Sequence, residues 1–403
     1  MADNITFYKE KEFKDTDIGK IPKEWEVVKL GTILNLKNGE RPKISEIRNI
    51  PVYGANGIMG YTTKFLADND FTIVIGRVGA SGEIHLGKGK IWISDNAIYS
   101  ENYNKLKAYL PFLFYLLKFK RLIQFASKTT HPIITQTFLN NFLIPSPELP
   151  EQQQIALILS TIDEAIQKTD EVTTKTERLK KGMINELLTK GIGHKEFKDT
   201  EIGRIPKEWE VVSLQNVVNV NPESLDPTIK WPDKEFDYVD IEAVKGGRIA
   251  ATRKIMGKDA PSRARRVIRE KDVIMSTVRP YLKAFAPVTR KYDGYICSTG
   301  FAVLRPTKRV DYIYLFYTIL SERTIKQCNA MMRGGQYPAL NQSQVERLVI
   351  PLSKLPEQQQ IAEILSIIDK KLELTKAERS KLERIKQGFM DILLNGKVRI
   401  KVD

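Results

Sequence analysis

The sequence predicts a mixed α/β protein with an internal pseudo-two-fold repeat: two heads, each followed by a long helix. Two pairs of matching segments and one periodicity carry that expectation. Residues 13–30 (FKDTDIGKIPKEWEVVKL) recur as residues 197–214 (FKDTEIGRIPKEWEVVSL), identical at fifteen of eighteen positions at a shift of 184. Residues 149–163 (LPEQQQIALILSTID) recur as residues 355–369 (LPEQQQIAEILSIID), identical at thirteen of fifteen positions at a shift of 206. The copies agree at their edges and differ inside, which suits two similarly mounted heads that recognise different things. The chain divides on this reading into a first head (1–148), a first helix (149–190), a second head (191–354) and a second helix segment (355–403).

The helices follow from periodicity. After Pro150 the apolar residues fall at Ile155, Leu159, Ile162, Ile166, Leu179, Met183 and Leu187. After Pro356 they fall at Ile361, Leu365, Ile368, Leu372, Leu382, Phe389 and Leu393. Steps of three and four define an amphipathic helix with a coiled-coil-like seam. The prolines suit the first turn, and Gly191 and Gly396 suit the stop. The seam weakens at Thr169, Thr173 and Thr176. One such helix cannot bury its stripe alone, and its twin is the natural partner.

The heads read as strands broken by Gly, Asn and Asp, with β-rich runs at 72–75, 91–93, 273–275 and 301–304. Leu-Phe-Tyr at 113–115 and at 315–317 marks a core helix in each head. A third correspondence, residues 130–136 (THPIITQ) with 336–342 (QYPALNQ), keeps one Pro and one Gln in otherwise divergent text. A constant frame with changed side chains is what a loop re-aimed at a different ligand shows.

Charge narrows the partner. The net charge is +15, with the excess in the heads: +5 over 1–148 and +9 over 191–354, against −1 over 149–190 and +2 over 355–403. Basic heads favour a polyanion, either nucleic acid or an anionic membrane face. No apolar run approaches the roughly 20 residues of a spanning helix, and the N-terminus has no signal-peptide pattern. Two cysteines, Cys297 and Cys328, supply neither a disulfide framework nor a zinc site.

Catalytic constellations are not apparent. The three histidines, His85, His131 and His194, lie at no metal-ligand spacing. Residues 82–89 (GEIHLGKG) lack the Ser/Thr of a phosphate loop and run into a strand-like segment, so they read as a surface hairpin. Nucleic-acid binding is better supported. Residues 244–291 hold fourteen Lys and Arg against three acids. Arg248, Arg263, Arg265, Arg266, Arg279 and Lys283 are candidates there, because arginine forks bind guanine edges and phosphates bidentately. In the first head the candidates are Asn38, Arg41, Lys43, Asn56, Arg77, Ser81, Lys128, Thr130 and His131, set among glycines that let backbone approach phosphate. Arg333, Gln336 and Tyr337 complete the set in the second.

Taken together, the Ile-Gly-x-Ile-Pro-Lys-Glu-Trp openings (18–25, 202–209), the Leu-Pro-Glu-Gln-Gln-Gln helices and the Leu-Leu-Thr-Lys-Gly and Leu-Leu-Asn-Gly-Lys tails resemble the specificity subunit of type I restriction–modification systems, over essentially the whole chain. The resemblance implies that each head is a target recognition domain reading half of a bipartite, asymmetric site in double-stranded DNA. It implies that the helices pair as an antiparallel coiled-coil spacer docking two modification (methyltransferase) subunits. Gln152, Gln153, Ile155, Leu159, Ile162 and Ile166, with Gln358, Gln359, Ile361, Leu365, Ile368 and Leu372, are the expected helix and partner interface. The resemblance further implies that S-adenosylmethionine, ATP and Mg belong on the partner methyltransferase and restriction/translocase subunits, and the chain itself is expected to be cytoplasmic, with no cofactor, metal or catalytic residue of its own. Two rival classes make different predictions. A single-chain nuclease would cleave or methylate alone, and a protein-only scaffold would show no salt-sensitive DNA binding.

Overall fold

The computed structural model describes residues 6–44, 49–125, 132–332 and 339–401. The chain forms two units: Met1–Glu171 together with Ala377–Asp403, and the continuous Val172–Lys376. Each contains one head, the start of one long helix and the end of the other.

In the first unit a six-stranded sheet runs in the order Leu34–Asn38, Ala97–Tyr103, Ala67–Gly76, Ile84–Ile93, Ile50–Gly54, Gly57–Thr62. The ladders are antiparallel except for the parallel pairing of Val52 with Trp92 and Tyr53 with Ile93. Strand alternation divides the core. Ile73, Ile75 and Ile84 join Phe112, Leu113 and Leu116 of the helix Leu110–Phe119, while Val74, Ile91, Ile93 and Tyr99 cluster separately. Residues 82–89 are not a hairpin. Residues 84–89 belong to the strand Ile84–Ile93, whose register with Ala67–Gly76 shifts between Asn69 and Thr72. The end strands Thr6–Lys9 and Val398–Lys401 pair antiparallel, Phe7 opposite Ile400.

The second unit repeats this plan in two pieces. One four-stranded sheet orders Val218–Val220, Phe301–Pro306, Val273–Ser276 and Phe285–Pro287; the other orders Arg253–Met256, Glu235–Val239, Ile296–Ser298 and Ala264–Val267. The parallel pairing recurs, Tyr238 with Ile296 and Val239 with Cys297. Val273 and Met275 face the helix Tyr312–Leu320, and Ile274 faces Val239 and Val303. Cys297 and Cys328 are buried, and burial pushes both thiols up to about 12. They pack as small apolar groups.

The long helices are Leu149–Lys190 and Leu355–Leu394. Gly191 and Gly396, both with φ +65°, end them in the left-handed region. A Cβ at Gly396 would lie 2.2 Å from Pro22 Cγ, and one at Gly191 2.5 Å from Glu357 Oε1, so glycine is also required by close packing. The helices run antiparallel. Asp163 pairs with Lys386 and Asp170 with Arg379 in the first unit; Glu177 pairs with Lys376 and Lys180 with Asp369 in the second. Thr169, Thr176 and Thr375 are buried, each hydroxyl donating to a carbonyl one turn back, so the seam continues through its polar stretch. Among the described residues no helix is long and apolar enough to cross a membrane.

Two repeated motifs turn out to be one fastening. The buried Trp25 indole N–H donates to Glu151 at 3.0 Å, and Trp209 donates to Glu357 at 2.9 Å. The opening strands Glu26–Lys29 and Glu210–Ser213 pair with Leu143–Ser146 and Val349–Leu352, just before each helix. The next residue corrects an expectation. Gln152 and Gln358 are buried and clamp their own heads: Gln152 accepts from Tyr109 N–H at 2.9 Å and donates to the Lys107 and Pro147 carbonyls. Gln358 does the same with Asp311, Arg309 and Ser353. A partner subunit cannot reach them, whereas Gln153 and Gln359 are exposed. Ile155, Leu159, Ile361 and Leu365 are fully buried in the head cores, while Ile162, Ile166 and Ile368 are half-buried further along and Leu372 is buried.

Candidate nucleic-acid interface

In each head a loop leaving a central strand is joined to the Pro/Gln segment that precedes a short helix. In the first, Val78 bridges Ile133 and Ile134 N–H donates to the Arg77 carbonyl at 3.1 Å. In the second, Val278 bridges Ala339 and Leu340 N–H donates to the Thr277 carbonyl at 2.9 Å. The invariant glutamines hold the frame: Gln136 donates to the Leu36 carbonyl, and Gln342 to the Val220 carbonyl at 3.5 Å. Thr135 and Asn341 cap the helices Gln136–Asn141 and Gln342–Glu346. Two segments far apart in sequence thus form one composite loop surface per head. Lys128, Thr130, His131, Arg333, Gln336 and Tyr337 lie outside the described residues.

On the first surface Arg77 is half-buried and Ser81 buried. The Ser81 hydroxyl lies within hydrogen-bonding reach of the Arg77 and Pro132 carbonyl oxygens, so it braces the two loops and does not face outward. Asn56 is exposed in the turn between the strands Ile50–Gly54 and Gly57–Thr62. Asn38 ends the edge strand, with exposed Arg41 and Lys43 beyond it.

On the second surface Arg279 is exposed and left-handed (φ +47°), and half-buried Lys283 is left-handed too (φ +55°), on either side of the turn Pro280–Leu282. Left-handed non-glycine residues are uncommon and store backbone strain, which concentrates at functional sites. Tyr281 and Leu282 are exposed between them.

Much of the basic stretch is neutralised internally. Arg265 pairs with Asp226 at 3.0 Å and donates to the Ala264 and Pro261 carbonyls, so it reads as a brace. Lys283 pairs with Glu322 at 2.8 Å, and Arg248 with Glu373 at 3.5 Å. Arg269 and Arg305 share Glu223, and Arg305 also grips buried Asp272 through two 2.9 Å bonds. Arg263 and Arg279 are exposed with no ion pair among the described residues. Arg266 is half-buried; burial lowers its pKa, and its Nη1 has no hydrogen-bond partner. These three arginines are the strongest remaining candidates.

A second pair of repeated contacts also escaped the sequence reading. Tyr115 O–H donates to Asp163 at 2.8 Å, with Lys386 Nζ on the other carboxylate oxygen and 5.5 Å from the ring centroid. Tyr317, Asp369 and Lys180 repeat this at 2.7 Å and 5.7 Å. Burial raises both phenol pKa values, with the carboxylates adding to the shift.

One repeated mount carrying unlike loops defines a two-headed recognition protein. The model of the type I restriction modification DNA specificity domain matches residues 22–177 and 206–384. The MjaVIII specificity subunit of Methanocaldococcus jannaschii is 30% identical, covering 98% of both chains. The putative MjaX specificity subunit of the same organism is 31% identical over 98% of this chain and 99% of its own. The solved S subunit from M. genitalium shares the fold with TM-score 0.63, at 17% identity over 92% of this chain and 96% of its own. The chain belongs to the family of type I restriction–modification specificity subunits. It is a DNA-sequence-recognition component and not itself an enzyme; the family uses no cofactor of its own and assembles with other subunits of the system and with DNA.

Proposed function

We propose that the heads, 1–148 and 191–354, are target recognition domains, each reading one half of a bipartite, asymmetric site in double-stranded DNA. The observation carrying this is the composite loop surface: the same backbone junction, Val78 with Ile133 and Val278 with Ala339, presents different side chains in the two heads. Phosphate contacts position such a surface and base-edge contacts specify it. Arg263, Arg266 and Arg279 suit base or phosphate readout in the second head; Arg77, Asn56, Arg41, Lys43 and Asn38 suit it in the first. On this reading the paired helices set the spacing, and the chain directs two adenine methyltransferase subunits and the restriction subunits to the site. Those partners hold S-adenosylmethionine, ATP and Mg, and the assembly works in the cytoplasm.

The test is mapping of methylated adenine in host DNA with and without this chain, then with Arg279→Ala or Arg263→Ala. A base-reading arginine contributes about 1–3 kcal/mol. Its loss should relax one half-site and leave the other intact; equal relaxation of both halves would refute modular reading. Purified assemblies should lose affinity with salt at a log–log slope of about −0.9 per phosphate contacted.

A further inference from the structure

Ile58 and Met59 are consecutive residues of Gly57–Thr62, the edge strand opposite Leu34–Asn38, and both face solvent, 53% and 55% exposed. Regular alternation would send two neighbours to opposite faces of the sheet. The ladder explains the exception. Ile58 lies opposite Tyr53 and Gly60 opposite Val52, so Met59 is the extra residue of a β-bulge, a device that re-aims a side chain. Ile44, 54% exposed, joins them. A Cβ at Gly60 would lie 2.9 Å from Ile44 Cδ1, and one at Gly54 3.0 Å from Met59 Sδ, so two glycines give the apolar side chains their seats. The surroundings are basic and polar. Glu40 is tied to this end of the sheet, its N–H donating to the Ile93 carbonyl and its carbonyl accepting from the Trp92 indole, both at 2.9 Å. Arg41 and Lys43 follow it, exposed and with no ion pair among the described residues. Exposed Asn56 occupies the turn before Ile58, and a Cβ at Gly76 would lie 2.9 Å from the Ala55 carbonyl oxygen, which puts that turn against the composite loop. The second head keeps this edge and changes its chemistry. There Arg253–Met256 pairs with Glu235–Val239 without a shift and carries Arg253 and Lys254, paired with Asp240 and Glu235.

We infer that Ile58 and Met59 read thymine in the first half-site by packing against its C5-methyl group in the major groove. That methyl is the apolar mark on the base edges of duplex DNA. An exposed apolar edge strand is a liability that proteins usually blunt with charge or a bulge; here the bulge turns two apolar groups outward instead. Arg41 and Lys43 supply the attraction for phosphate that positions such a contact over the bases, and continuity with the Arg77–Ser81 loop puts it on the surface already described. A protein partner is the competing occupant, but unpaired cations beside the apolar pair favour a polyanion. The inference rests on the reading of the first head as a target recognition domain and names the base chemistry it reads. With Arg253 and Lys254 at the same edge, the second head offers charge in place of an apolar contact, so the methyl requirement belongs to one half-site.

The experiment uses the full chain assembled with the methyltransferase subunits of its own system, and duplexes carrying the bipartite site mapped by methylation. Deoxyuridine replaces each thymine of the first half-site in turn, which removes the C5-methyl and leaves the hydrogen-bonding edge unchanged. At one thymine or more, wild type should bind the uracil duplex about fourfold more weakly, the worth of one buried methyl. Ile58→Ala/Met59→Ala should bind the thymine duplex at least that much more weakly and no longer distinguish it from the uracil duplex, while Met59→Leu keeps the discrimination. Arg41→Ala/Lys43→Ala should weaken both duplexes equally and flatten the salt dependence. Uracil in the second half-site should affect the double alanine variant and wild type alike. A first half-site without thymine, or an alanine variant that keeps full discrimination, would overturn the inference and leave target recognition by this head standing. Loss of methyltransferase binding by that variant, with discrimination intact, would assign the bulge to a protein contact and overturn it too. Absence of any methylated site that depends on the chain would overturn the underlying reading as well.

Discussion

The two heads share a mount but differ in how the sheet is carried through. In the first, Ala67–Gly76 and Ile84–Ile93 are long strands whose shared ladder absorbs a register shift at Asn69/Thr72. In the second, the corresponding path is cut, giving Ala264–Val267 and Val273–Ser276 on one side and Phe285–Pro287 and Ile296–Ser298 on the other. The break holds Asp272, Arg305, Glu223 and Arg269, a polar junction where the first head has a bulge. Tyr53 and Val239 hold equivalent ladder positions, as do Gly76 and Ser276, yet the second interval is fourteen residues longer. Residues 54–75 carry one Lys against two Asp; residues 240–275 carry ten Lys and Arg against five acids. A bulge is therefore a place where a fold accepts an insertion, and here the insertion changes a head's electrostatics without touching its attachment.

The attachments differ most where the comparison can be broken hardest. Glu151 is closed by buried Arg399, at 2.8 and 2.9 Å, and Arg399 also meets Glu10 and Glu24; Glu357 is closed by His194 at 2.8 Å and the Ile192 N–H. Arg399→Ala strands a buried carboxylate and should cost the first unit about 3–5 kcal/mol. His194→Ala leaves Glu357 its Trp209 and backbone donors and should cost the second about 1 kcal/mol. Hydrogen exchange around Trp25 and Trp209 reads the two separately, and equal losses would show the fastenings to be energetically alike. Next come the tyrosine contacts, whose geometry is the same in both units. Tyr115→Phe and Tyr317→Phe should each cost about 1 kcal/mol by urea denaturation, and a clear inequality would end the claim of equivalence. Smallest is a pH effect confined to the second head. The Arg269 guanidinium holds Glu223 below the usual carboxylate range. Its contribution is present above the unfolded value of about 4.3 and is lost as pH falls through the folded one. Glu223→Gln should therefore narrow the stability gap to wild type in acid, and an unchanged gap would discount the pair.

How much of this was legible depended on whether a feature was local. Helix positions followed from the Leu-Pro-Glu-Gln-Gln-Gln start and the apolar steps, and the core helices from the two Leu-Phe-Tyr runs. What was misjudged depended on partners distant in sequence. Gln152 read as partner-facing because the text does not disclose that the 107–109 backbone lies over it. Arg265 and Lys283 read as free because Asp226 and Glu322 lie outside the basic run. The Asp163 and Asp369 contacts had a visible trace, an aspartate ending each copy of the fifteen-residue repeat, but its use required knowing that Tyr115 and Tyr317 face the helix.

The pairing of Thr6–Lys9 with Val398–Lys401 has a consequence for biosynthesis. Chains usually complete their N-terminal domains first as they leave the ribosome. Here the first unit needs residues 377–403 for a strand, for Arg399 and for part of its core, whereas Val172–Lys376 is continuous. The second head can therefore be finished while the first, made earlier, still waits for residues 377–401. A truncated product would leave the ribosome with its newer half sound and its older half open, exposing Trp25 and the Ile155 face to the cell's quality control.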